Sequence, residues 1–233
     1  MTPTRALARA PRWVRRWALH FECAIEDQVS AFARALPNGS RLLDAGAGEG
    51  QYRHHFPKCR YTGVDLTVGD AGWNYSRLDA VADLNALPFP PATFDAAVNI
   101  VTLEHLTDPQ LALDEIARVL KPGGRFFLVA PLEWEEHQQP HDFFRYTRFG
   151  LQLLLERAGF GAVELVPAGG FFRLLSRRLL NGLQFFMKGP RWLLFAPAAL
   201  VLVPLSLILP IFEGLDPQKS FTLGYLCTAR KLP

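Results

Sequence analysis

Three aspartates and a set of histidines are the residues whose types and spacing suggest chemistry. Asp44 closes the apolar run Leu42-Leu43, Asp65 closes Tyr61–Val64, and Asp83 follows Leu78–Ala82. Between the first two lies Gly46-Ala47-Gly48-Glu49-Gly50, with glycine at alternate positions. Glycine supplies the positive φ of a sharp turn and lets a ligand approach the backbone. The spacing differs from the dinucleotide fingerprint G-x-G-x-x-G. A pyrophosphate over this turn would also face Asp44 and Glu49, and like charges at close range are costly. The loop therefore favours a cationic ligand. Further along, Glu104-His105 and the run Glu133–Tyr146, which holds His137, His141, Asp142 and Arg145, carry groups suited to proton transfer.

The elements that must position these residues alternate between strand and helix patterns. Strands are expected at Arg41–Ala45, Tyr61–Leu66, Leu78–Ala82, Asp95–Val101, Arg125–Ala130 and Ala162–Pro167. Helices are expected at Gly50–Phe56, Pro109–Leu120 and Leu151–Arg157, with Lys121-Pro122-Gly123-Gly124 stopping the second. The glycine-rich residues 67–76 read as a loop in place of the second crossover helix. Such alternation implies an α/β fold with a parallel sheet and helices on both faces. Ligands of such sheets sit at the carboxyl ends of the strands.

Taken together, the glycine loop, Val64-Asp65-Leu66, Asp83–Phe89, Thr93-Phe94-Asp95, Leu103–Leu106 and Glu115–Gly124 resemble, in order, the landmarks of the class I S-adenosylmethionine (SAM)-dependent methyltransferases, over residues 40–167. The Pro140–Thr147 run resembles a signature of one methyltransferase subgroup, of the type 11 kind. The resemblance implies a Rossmann-like, doubly wound seven-stranded sheet whose last strand, Phe221–Arg230, is antiparallel and slots between strands five and six. It implies SAM as cofactor. Asp44 would hold the methionine ammonium, directly or through water. Gly46, Gly48 and Gly50 would admit the ligand. Asp65, with Leu66 beside it, would accept from both ribose hydroxyls, and Asp83 from the adenine amine, with Leu84 packing nearby. Asn99 and Ile100 would flank the methionine moiety. On the acceptor side His105, next to Glu104, or His141 would be the base. Asp142 would orient the imidazole and Arg145 would hold an anionic part of the acceptor. His137 and His141 have the spacing of metal ligands on a helix, but Pro140 between them disfavours that helix, and no metal is assigned.

The chain has 233 residues, 49% of them apolar, and a net charge of +3, enough for one sizeable core. The charge is unevenly placed: Arg5, Arg9, Arg12, Arg15 and Arg16 precede any acid. Three scattered cysteines argue against a disulfide framework and suit a reducing cytosol. A basic helix bearing Trp13, Trp17 and Phe21 suits a membrane surface, or packing over the cleft. Trp192–Phe212 is uncharged over 21 positions, long enough to span a bilayer. A single crossing would part the last strand from its sheet, and Pro197, Pro204 and Pro210 interrupt the run. The expectation is a helical hairpin dipped into one leaflet, with Arg173, Arg177, Arg178, Lys188 and Arg191 at anionic head groups; a lid or dimer interface is the other reading.

The expected organisation is a basic helical segment at 1–36, the core at 37–170, a hydrophobic insertion at 171–219 and the terminal strand at 220–233. The expected function is methyl transfer, by O-methylation, to a small lipophilic or lipid-linked acceptor at the inner face of the cell membrane, with no nucleic-acid partner. The rivals are a nicotinamide-dependent oxidoreductase, which the glycine spacing opposes, and a non-catalytic scaffold of the same fold.

Overall fold

The computed structural model describes residues 12–69, 72–187 and 189–233. The expectations for Arg5, Arg9 and Lys188 lie outside them. The chain divides into two compact units. The larger takes Ile25–Val166 and Gly224–Pro233; the smaller takes Pro167–Leu223 and the N-terminal segment to Ala24. The first boundary falls inside helix α2 (His20–Arg34), which follows α1 (Arg12–Ala18); Ile25, Val29 and Phe32 on its second half are buried. Phe32 lies 5.6 Å from the Phe127 ring.

The larger unit is built on seven strands, in the order β3-β2-β1-β4-β5-β7-β6. These are β1 (Arg41–Ala45), β2 (Arg60–Asp65), β3 (Ala80–Val81), β4 (Phe94–Ile100), β5 (Leu120–Pro131), β6 (Phe160–Pro167) and β7 (Gly224–Lys231). Strands β1 and β4 form the centre, and their parallel register sets Leu42 against Ala96 and Asp44 against Val98. Leu42, Leu43, Ala96, Ala97 and Val98 are fully buried, the near-continuous apolar run that a strand covered on both faces requires. β7 runs antiparallel to β5, with Leu128 opposite Cys227. It inserts between β5 and β6, as the resemblance implied. Cys23, Cys59 and Cys227 are free thiols. The order reverses between β1 and β4, so the carboxyl ends of these strands open a crevice at the switch point.

Several local expectations need correction. Gly50–Phe56 forms no α-helix; it is a turn followed by one 3-10 turn, Arg53–His55. Six residues between Gly50 and Pro57 are too few to offset helix nucleation. The third strand shrinks to Ala80–Val81 at the sheet edge. Helix α3 (Pro109–Val119) starts where Asp108 Oδ1 accepts from the Leu111 amide at 3.1 Å, and it passes directly into β5 at Leu120. The Lys121–Gly124 segment is thus absorbed into an irregular start of β5, where the register against β4 shifts between Phe94 and Ala96. Helix α4 (Arg148–Arg157) starts three residues before the expected Leu151, because Thr147 Oγ1 caps it by accepting from the Gly150 amide.

In the smaller unit, α5 (Phe171–Gly182) packs beside α6 (Phe195–Ile208), and Ser176 Oγ donates to the Ser206 carbonyl at 2.6 Å. The two ends of the insertion are tied together. Amides at the N-terminus of α5, those of Gly170, Phe171 and Arg173, donate to carboxylates of Glu213 and Asp216. These acids satisfy orphan donors and complement the helix dipole. Residues Gly189–Leu215 form 27 consecutive helical residues, long and apolar enough to cross a membrane. Pro204 lies within α6 without ending it. Leu200 is 77% exposed and Ile211 69%. Phe21, on the stripe that suits either a membrane surface or packing, is buried.

Candidate active site

The glycine loop leaves β1 with Gly46, Gly48 and Gly50 all at positive φ (89°, 53° and 70°). Gly46 and Ala47 donate to the Val64 carbonyl, which folds the loop back over β2. What Gly46 admits is a protein side chain: a Cβ there would overlap Thr102, whose hydroxyl lies 3.1 Å from the Gly46 carbonyl. A Cβ on Gly48 would sit 3.0 Å from the Trp73 ring. The close approach of Thr102 is a second demand on Gly46, beside its place in the loop.

Asp44 is almost wholly enclosed, 1% exposed. Its Oδ2 accepts from the Tyr61 hydroxyl. Burial pushes its carboxyl up to about 7, against the lowering effect of that hydrogen bond. The Tyr61 hydroxyl is itself pushed far up by burial and by Asp44. The nearby Arg53 guanidinium is engaged elsewhere, with Asp79 and over the Tyr61 ring at 4.7 Å. Asp79 in turn accepts from the Gly63 amide at 2.8 Å. Tyr61, Arg53 and Asp79 were not identified from sequence; the parallel register, which places Tyr61 beside Leu42 and on the face of Asp44, is the signal for the tyrosine.

The other carboxylates differ in exposure. Asp65 is half-buried at the end of β2, with Oδ2 accepting from Gly48 N at 2.9 Å and Oδ1 from Thr67 N at 2.8 Å. A carboxylate offers about four lone-pair sites, so a diol can still be accepted. Leu66 beside it is exposed. Asp83 is exposed, its Oδ1 taken by the Asn85 amide. Leu84 belongs to the hydrophobic core. Asn99 is fully buried and donates to the Ala45 carbonyl at 2.7 Å, clipping β4 to the end of β1. Its role here is to hold the strand ends; Ile100 next to it is also buried.

A second group forms beyond β4. Val101 takes φ 52°, a rare conformation for a β-branched residue, and starts a sharp turn into the 3-10 turn Leu103–His105. Glu104 is fully buried, and neither carboxylate oxygen has a hydrogen-bond partner. Burial pushes its carboxyl up to about 8. His105 Nε2 lies 3.8 Å from Glu104 Oε1 and His137 Nε2 lies 4.0 Å from it. The two imidazoles meet edge to face at 4.7 Å. Burial lowers the His105 pKa, which favours the neutral ring.

The Pro140–Tyr146 run builds the frame of this cluster. The His141 carbonyl accepts from His105 Nδ1 at 2.6 Å. Phe143 and Phe144 amides donate to the Glu104 carbonyl, and the Tyr146 hydroxyl donates to the Leu103 carbonyl. Asp142 does not touch the His105 or His141 ring. It accepts from the His137 amide and lies 3.3 Å from His137 Nδ1. Arg145 holds the Asp142 carboxyl down to about 2. Arg145 gives two bonds to Asp142 and three to the carbonyls of Trp134, Glu135 and Phe144. A guanidinium has five N–H donors, so Arg145 has none left for an anionic acceptor. The expected roles of Asp142 and Arg145 give way to positioning. His137, set aside when paired in sequence with His141, joins Glu104 and His105.

Comparison with known proteins agrees with this fold. Residues 43–128 match the family model described as a methyltransferase domain. A tRNA (carboxymethyluridine(34)-5-O)-methyltransferase of Arabidopsis thaliana is 36% identical over 121 residues, 48% of this chain and 28% of that protein. The ubiquinone/menaquinone biosynthesis C-methyltransferase UbiE of Cereibacter sphaeroides is 34% identical over 131 residues, 50% of this chain and 51% of that one. The chain thus spans about half the length, or less, of these relatives. Phosphoethanolamine N-methyltransferase 2 of Haemonchus contortus, solved with S-adenosyl-L-methionine, superposes with a TM-score of 0.57 at 17% identity, over 90% of this chain and 52% of that one. Residues 43–128 thus match a methyltransferase domain, and the sheet order is that of a fold shared with SAM-binding methyltransferases.

Proposed function

We propose that this protein transfers a methyl group from SAM to a lipophilic or lipid-linked acceptor at the inner face of the cytoplasmic membrane. The observation that carries the cofactor half is Asp44: a carboxylate at the end of β1, almost fully enclosed, bonded to the Tyr61 hydroxyl and to no basic side chain among the described residues. An ammonium group supplies the counter-charge, and SAM carries one without a phosphate that Asp44 and Glu49 would repel. Asp65, on the next strand end, suits the ribose hydroxyls, and the exposed Asp83 suits the adenine amine.

When bound, SAM supplies a methyl group already activated by its sulfonium. The chain's own part is to orient the acceptor and take its proton. His105 and His137 present imidazoles beside the buried Glu104 carboxyl at the carboxyl end of β4, and the Pro140–Tyr146 frame fixes them. An acceptor hydroxyl is the group that needs such a cluster, which favours O-methylation. His141 contributes through its backbone carbonyl.

The membrane half rests on Gly189–Leu215, apolar and largely exposed, held on an insertion whose two ends are tied by Glu213 and Asp216. Tied ends suit a segment that enters and leaves on one side of a bilayer, with the exposed Arg191 in the head-group region, whereas Arg177 pairs with Glu22 and Arg173 lies beside Glu213. A lipophilic acceptor fits such a location, and the relative UbiE is named for ubiquinone and menaquinone biosynthesis.

The test is transfer of radiolabelled methyl from SAM into membrane lipid extracts, with flotation of the protein on vesicles containing anionic lipid. Organic-soluble label formed by the wild type and lost in Asp65→Ala, together with flotation lost on changing Leu200, Val201 and Ile211 to serine, supports the reading. Label appearing only in water-soluble acceptors, or a protein that stays with the aqueous fraction, overturns the lipid half of it.

A further inference from the structure

We infer that Glu104, His105 and His137 form a binding site for one first-row divalent transition-metal ion of the zinc type. The ligand atoms of these three side chains lie within 4.8 Å of one another. The site depends on this cluster alone, whether or not SAM is the cofactor, and an ion here would take the Nε2 lone pairs that otherwise accept the acceptor's proton.

Tautomers decide the chemistry. A backbone carbonyl only accepts, so the ring nitrogen that bonds one carries the proton. His105 Nδ1 bonds the His141 carbonyl at 2.6 Å, and His137 Nδ1 bonds the Glu135 carbonyl at 3.1 Å with Asp142 Oδ2 at 3.3 Å. In that tautomer the Nε2 of each ring is the ligand atom, and both Nε2 atoms face Glu104. Glu104 adds two oxygens without a donor, in a side chain that is 0% exposed. Three acceptors converge where burial makes an unpartnered polar group costly. A cation bound by all three removes that cost.

The surroundings match what metal-bound imidazoles require. Such a histidine gives its other N–H to a carboxylate or a carbonyl, which fixes the ring and raises its basicity. His105 has the His141 carbonyl in that position, and His137 has Asp142, itself clamped by Arg145. Two imidazoles with one carboxylate suit zinc, cobalt, nickel or iron(II) better than magnesium or calcium, which prefer all-oxygen shells. Three protein ligands leave positions open for an oxygen of water or substrate. An ion about 2.0–2.2 Å from each ligand sets ligand atoms roughly 3–3.5 Å apart, so the two Glu104–histidine distances close by up to about 1 Å and the widest pair by up to about 1.8 Å on binding. His137 lies in a segment outside helix and strand, and its side chain is 26% exposed, so this movement does not strain the sheet.

The experiment titrates Co²⁺ into the chelator-stripped full-length protein, follows the visible d–d bands, and then displaces cobalt with Zn²⁺. The wild type is expected to take up one Co²⁺ per chain. Glu104→Gln and His137→Ala are expected to weaken binding at least about 100-fold, and Asp142→Asn about 10-fold, the size typical of a lost outer-sphere partner. Circular dichroism melts confirm that each variant is folded, and His137→Gln replaces any that is not. A wild type with no cobalt bands, or folded variants that bind as the wild type does, overturns the site. SAM binding measured on the same samples separates that failure from failure of the methyltransferase reading.

Discussion

Replacing Asp44 with asparagine should stabilise the unliganded protein at neutral pH while removing its ability to hold the cofactor. Folded Asp44 keeps its proton up to about pH 7, whereas the unfolded residue releases it near 3.8. Between those values the folded state binds more protons, so this group's contribution to stability is intact below 3.8 and falls as pH rises to about 7. The slope is about 1.4 kcal/mol per pH unit, which over this window gives an upper bound on the order of 4 kcal/mol. Local relaxation and water entry reduce it, so about 2–4 kcal/mol is expected. Asparagine does not titrate, and every other group is shared by the two proteins. The gap in melting temperature, Asp44→Asn protein minus wild type, should therefore widen by roughly 4–16 °C between pH 4 and pH 8. Saturating SAM should close the gap by stabilising only the wild type, through its ammonium. Wild-type affinity for SAM should rise about tenfold per pH unit below 7 and level off above it. A gap that does not change with pH, or equal stabilisation of both proteins by SAM, refutes the reasoning.

Other perturbations follow from the same geometry. Gly46→Ala forces a side chain into a left-handed position and against Thr102; it should cost about 3 kcal/mol, seen as a fall of roughly 6–12 °C in melting temperature, and Thr102→Gly in the same chain should restore only the steric part. Arg145→Ala removes five hydrogen bonds and should speed exchange of the Phe143 and Phe144 amides at least about tenfold by hydrogen-exchange measurement. Arg145→Lys should not rescue this, because a lysine cannot reproduce the planar fork, and wild-type exchange in the lysine variant would contradict the positioning role.

Much of the frame was legible because strands buried on both faces write themselves as short apolar runs ending in a polar residue. Leu42-Leu43-Asp44 and the late antiparallel strand through Tyr225 and Cys227 are of this kind. The segment after Gly50 misled because local composition does not reveal that Pro57 leaves too little room for a helix. In the site, the acids at strand ends were readable from position alone. The pairings were not. Asp142 meets His137 rather than His105 or His141, and Arg145 spends its donors on the loop, because a segment without regular structure sets its own hydrogen bonds and carries no period to read. Tyr61 marks the same limit: which face of an element points inward is settled by register and packing.

The most direct test of the central claim is calorimetric titration of SAM into the detergent-solubilised wild type beside Asp65→Ala. The Asp65 carboxylate ties Gly48 and Thr67 and is the group assigned to the ribose. Binding at micromolar affinity by the wild type (roughly −8 kcal/mol), lost in the variant, is the predicted result. A well-folded wild type that releases no heat with SAM would contradict the account.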